Sequence, residues 1–153
     1  RGVTIALAHL LSNDVVAAGV RDNYAIRIAA EQGHTAIVNL LLDHADTDPT
    51  ADDNYAIRIA AEAGHADIVR RLLADTRVDP GARDNYALQT AALHGYAGIV
   101  AMLIKAPGVT PAARDHMAVR AARARGHAVV VQILQDAPTH NQQRPTRPEH
   151  VPE

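Results

Sequence analysis

The sequence predicts an all-α chain, a solenoid of helix–turn–helix units, on three observations. Asp22-Asn23-Tyr24-Ala25 returns as Asp53-Asn54-Tyr55-Ala56 and Asp84-Asn85-Tyr86-Ala87, then in altered form as Asp115-His116-Met117-Ala118, always 31 residues apart. Inside each period a Gly-His or Gly-Tyr pair separates two stretches with helical spacing of apolar residues. Apolar residues form 48% of the 153 residues but aromatics only 3%, so Ala, Leu, Ile and Val must fill the interior. Such a composition suits thin helices that approach closely and stack repeat on repeat.

Taken in order, Val3 to Ser12 aligns with a second helix only, a half repeat over 3–12. Its missing first helix, and the lack of an initiating Met, lead us to expect either further repeats before it or a frayed end. The first complete unit should place one helix from about Tyr24 to Gln32, with Asp22 or Asn23 as N-cap. Gly33 should end that helix in the left-handed cap conformation. A second helix from about Thr35 to Asp43 would carry the apolar stripe Ile37, Val38, Leu41 and Leu42. Asp48-Pro49 then breaks the chain and returns it to the next unit.

Repeats starting near 22, 53, 84 and 115 follow this plan. Ala29-Ala30 maps to Ala60-Ala61 and Ala91-Ala92, and Gly33-His34 to Gly64-His65, Gly95-Tyr96 and Gly126-His127. In the last unit Arg123 takes the second Ala position and Gln135 the position of Leu42, Leu73 and Ile104, as a polar C-terminal cap requires. The array is therefore expected to occupy 1–136. Residues 137–153, with Pro138, Pro145, Pro148 and Pro152 and no apolar period, are expected to be a disordered tail. Within it, Arg144-Pro145-Thr146-Arg147-Pro148 has the alternative reading of a short linear ligand.

The Ala-Ala pair, the Gly-His turn and the apolar second helix ending in Leu-Leu resemble the ankyrin repeat. In the second unit Ala60-Ala61, Gly64-His65, Ile68-Val69 and Leu72-Leu73 match directly. Tyr55-Ala56-Ile57-Arg58 stands where that family has Thr-Pro-Leu-His, so its hydrogen-bond network must differ. The period is 31 rather than about 33, because the connection before each first helix is short. The resemblance implies an ankyrin-like solenoid with shortened hairpin fingers, in which the helix face carries more of any contact.

Several function classes lose support. Net charge is −2, which gives no pull toward nucleic acid or acidic membranes. No apolar run approaches the length of a membrane helix. The absence of Cys removes thiolate metal sites, disulfides and Cys nucleophiles, and fits an intracellular, cytoplasmic protein. Ser12 is the only Ser and no glycine-flanked nucleophile or phosphate loop occurs, so no catalytic residues are assigned. His34, His65 and His127 recur at one repeat position. Packed units put them about 10 Å apart, too far to share a metal, so they are read as turn supports and no metal or cofactor is expected.

The expected function is binding of another protein by a monomeric array, with no nucleic acid, membrane or cofactor. The alternative is an accessory repeat segment of a larger enzyme or effector. Departures from the repeat mark the candidate site. Glu31-Gln32 and Glu62-Ala63 become Leu93-His94 in the third unit, which also carries Gln89. Leu93, His94, Gln89, Arg83 and Arg114 are the expected anchors, flanked by the charges of Arg58 and Glu62. Arg27, Arg58 and Arg120 form a row interrupted by Gln89, either an anionic groove or a set of internal braces. The Tyr24, Tyr55 and Tyr86 ladder reads as packing.

Overall fold

Each period folds as two helices joined by a tight glycine turn. The computed structural model describes residues 20–110 and 113–137, with the side chains of 20–22 and 113–115 excepted. The half repeat at 3–12 and the tail from 138 onward lie outside the described residues. Among the described residues there are eight helices and no strand: α1 (Val20–Glu31), α2 (Thr35–Leu42), α3 (Ala51–Ala63), α4 (Ala66–Leu73), α5 (Ala82–His94), α6 (Ala97–Leu103), α7 (Ala113–Ala124) and α8 (Ala128–Asp136).

The first helices α1, α3, α5 and α7 pack in one tight row, and α2, α4, α6 and α8 form a looser row behind them. Small side chains set the difference. Ala30, Ala60, Ala61, Ala91 and Ala92 are fully buried between first helices, where a larger residue would hold the backbones apart. Ile68, Val69 and Leu72 on α4, with Ile99, Val100 and Leu103 on α6, fill the space between the rows. Each fully buried Leu or Ile contributes about 1.5–3 kcal/mol. The connections hold short hydrogen-bonded turns in place of hairpins, and each sends a buried residue inward at one register, Thr47, Val78 and Val109, with Pro49 and Pro80 also buried in the first two.

The helix starts differ from expectation. Asp52, Asp53 and Asn54 adopt φ/ψ of 56/52°, 54/51° and 59/42°, and Arg83, Asp84 and Asn85 follow them closely. Asn23 and His116 take the same positive φ. α3 and α5 thus open with a left-handed turn, closed by hydrogen bonds from Asn54 N–H to Thr50 O and from Asn85 N–H to Gly81 O, both 2.8 Å. Right-handed helix begins only at the tyrosine. Asn and Asp tolerate this conformation best among residues with a side chain, which accounts for the Asp-Asn dipeptide.

The asparagine is consequently not the N-cap of its own helix. Asn23 Oδ1 accepts from Asp48 N–H at 2.7 Å, Asn54 Oδ1 from Asp79 N–H at 2.8 Å, and Asn85 Oδ1 from Thr110 N–H at 3.1 Å. Each bond reaches 25 residues forward and ties a first helix to the loop that ends its own unit. An amide oxygen meets a main-chain donor that would otherwise be left unpaired.

Candidate interaction surface

The glycine turns fasten unit to unit. Gly64 and Gly95 have φ of 83° and 80°, a conformation costly for residues with a Cβ. The ring at the start of the following second helix lies directly on each turn: a Cβ added at Gly64 would meet the Tyr96 ring at 2.8 Å, and one at Gly95 the His127 ring at 2.6 Å. His65 Nε2–H donates to Glu31 O and His127 Nε2–H to Leu93 O, both at 3.0 Å. His65 and His127 support turns, as read from the sequence.

Two members of the arginine row, Arg27 and Arg58, prove to be internal braces. Arg58 is only 7% exposed. Its Nε donates to Asp53 O at 2.9 Å and its Nη2 to Asp52 O at 2.8 Å, holding the carbonyls of the left-handed turn. Its guanidinium lies between the rings of Tyr55 and Tyr86, 5.4 and 5.6 Å from their centroids. Arg27 pairs with Asp52 at 3.0 Å and sits 4.7 Å from the Tyr55 ring. Arg58 was expected to flank a partner, and its burial corrects that. Glu62 is half-buried and accepts the Tyr86 hydroxyl at 3.0 Å. That hydrogen bond, with burial, raises the Tyr86 pKa above its usual value.

The third unit departs from its neighbours where the sequence does. Gln89 replaces the arginine and keeps one of its bonds, Nε2–H to Asp84 O at 2.6 Å. Leu93 is half-buried and His94 exposed. His94 Nδ1–H donates to Thr90 O at 2.9 Å, which leaves Nε2 as an acceptor at the surface. Its ring stacks on Tyr96, with centroids 5.7 Å apart and planes 14° from parallel. The Gly-Tyr in place of Gly-His was a visible departure, but its pairing with His94 depends on two adjacent helices and was not legible. Arg83 is exposed and tied to Asp53 of the preceding unit at 3.0 Å. The side chain of Arg114 lies outside the described residues. Gln89, Leu93 and His94 thus share one helix, with Tyr96 beside His94, whereas Arg83 and Glu62 are engaged in cross-unit contacts.

Among the described residues no group of three or more His, Asp or Glu side chains is arranged to hold a metal, and no helix is long and apolar enough to cross a membrane. A comparison with curated proteins found no match. The family model described as ankyrin repeats (3 copies) matches residues 4–84 and 26–115. Those matches cover well over half of the chain and coincide with the helix pairs, the alanine pairs and the glycine turns, and so the chain belongs to the ankyrin-repeat family.

Proposed function

We propose that this array is a non-catalytic protein-interaction module that engages its partner through the third unit. Ankyrin repeats are in general protein-interaction modules, and the site within this one is inferred from its own irregularity. The observation that carries the reading is the His94–Tyr96 stack. At the other described turns a histidine starts the second helix, and those of the second and fourth units spend their Nε2–H on a carbonyl of the preceding unit. In the third unit a tyrosine takes that place and a second ring is added in front of it. Two stacked amphipathic rings beside a half-buried leucine give a rigid anchor that loses little side-chain entropy on binding. The Nε2 acceptor of His94 and the carboxamide oxygen of Gln89 supply directional contacts around it.

The test uses the full chain beside His94→Ala and Leu93→Glu variants, each checked for fold by circular dichroism. A partner captured by the parent and identified by mass spectrometry is then titrated against all three. At least tenfold weakening by His94→Ala with unchanged helicity supports the site. Unchanged affinity in both variants moves the contact elsewhere, and loss of helicity in Leu93→Glu assigns Leu93 to the core.

A further inference from the structure

In the interior units, the face of a first helix that looks toward the next unit is covered. Arg58, Ala61 and Glu62 form that face on α3, and each is at least half-buried. The corresponding residues of α7 are Arg120, Arg123 and Ala124, and all are exposed. Their spacing places them on one side of the helix. Arg120 and Arg123 make no ion pair, hydrogen bond or ring contact among the described residues. Arg27 and Arg58 are by contrast held by carboxylate, carbonyl and ring. Arg123 also replaces alanines that are fully buried in the second and third units, so its bulk prevents another repeat from seating there.

The array itself shows what satisfies an arginine at this register. Asp52 supplies a carboxylate to Arg27 at 3.0 Å, and Tyr55, three residues later, supplies a ring face at 4.7 Å. We propose that the exposed face of α7 binds an acidic segment of a partner protein that presents a tyrosine three residues after an aspartate, with Arg120 and Arg123 as its anchors. This site is distinct from that on the third unit. Charge favours it: residues 115–136 hold Arg120, Arg123 and Arg125 against Asp115 and Asp136, and Gln132 already occupies both Asp136 oxygens at 2.9 Å. Residues 1–19 and 138–153 do not offer the pair, since they contain no tyrosine. A second copy is a poor occupant, because its one Asp-x-x-Tyr sequence, Asp52 to Tyr55, is already engaged by Arg27 of its own array.

The probe is a fluorescein-labelled acidic peptide of about twelve residues with a central Asp-Ala-Ala-Tyr, titrated into the full chain by anisotropy. Companion peptides replace Tyr by Ala or all acidic residues by Lys. Binding is expected for the first peptide, weakened at least tenfold by Arg120→Ala with Arg123→Ala, and weakened by salt as exposed ion contacts are. The Tyr-to-Ala peptide should bind less well and the Lys peptide not at all. Arg70→Ala, on another helix, and His94→Ala, at the third-unit site, should leave the affinity unchanged. No binding at about 1 mM peptide, or equal affinity in the double arginine variant, overturns the proposal. So does a concentration-dependent dimer, seen by light scattering, that the double variant abolishes, since the face would then belong to a second copy.

Discussion

Replacing Asn54 separates two contributions that coincide at one residue. Asn54 is 9% exposed, sits at φ 59°, and accepts the Asp79 N–H at 2.8 Å. Asn54→Ala removes the acceptor and leaves a part-buried amide unpaired, which costs about 1–3 kcal/mol. It also forces a Cβ-bearing residue without local hydrogen bonding into the left-handed region, which adds about 1 kcal/mol. The expected loss is therefore about 2–4 kcal/mol. Asn54→Gly loses the same hydrogen bond but tolerates the backbone, so it should be about 1 kcal/mol more stable than Asn54→Ala. Asn54→Asp retains an acceptor and should be the mildest of the three. The chain has no Trp, so urea unfolding is followed by far-UV circular dichroism. Amide exchange at Asp79 reports the hydrogen bond directly and should accelerate in the Ala and Gly variants only. An Ala variant as stable as the Gly variant, or more so, refutes the left-handed turn. An Ala variant within about 0.5 kcal/mol of the parent refutes the forward hydrogen bond.

Three further outcomes are expected. Thr47 is buried with its hydroxyl unpartnered, and valine holds the equivalent positions 78 and 109, so Thr47→Val should raise stability by about 1 kcal/mol in the same urea titration. Gly95→Ala should cost more than the roughly 1 kcal/mol of Gly126→Ala: both residues have φ near 80°, but only Gly95 has a ring against it; equal thermal shifts would show that the His127 ring swings aside freely. The Arg77 side chain, bound at 3.0 and 2.7 Å, holds the Asp75 carboxyl below its usual pKa. A depressed folded pKa means that this contribution is complete above about 3.9 and disappears as pH falls through the folded value. Asp75→Asn should thus be less stable than the parent by about 1 kcal/mol at pH 7, with the difference closing toward pH 2.

Much of this architecture is legible in the residues. A register of 31 with alanine pairs, glycine turns and Leu-Leu endings fixes where helices lie and which side is buried, because those residue types have few other uses in such an order. The left-handed turn is not legible. Asp-Asn is equally suited to capping a helix and to adopting positive φ, and the choice is made by a loop amide 25 residues away. Arg58 shows the same limit: a long cation suits a surface or an interior brace, and only the tyrosine rings on either side of it decide between them. The third-unit anomaly was visible as a substitution pattern, but its geometry was not, since His94 and Tyr96 meet only across the glycine turn.

The fasteners between and within units end largely on the main chain: asparagine to amide, histidine to carbonyl, ring to glycine. A backbone group is the same whatever residue carries it. A duplicated or transposed 31-residue segment would therefore find these main-chain docking points intact beside an interior neighbour, which lets such an array grow or shorten by whole modules during evolution. The exceptions are side-chain pairs such as Arg27–Asp52, Arg71–Asp43, Arg83–Asp53 and Tyr86–Glu62, which favour particular modules in their present order.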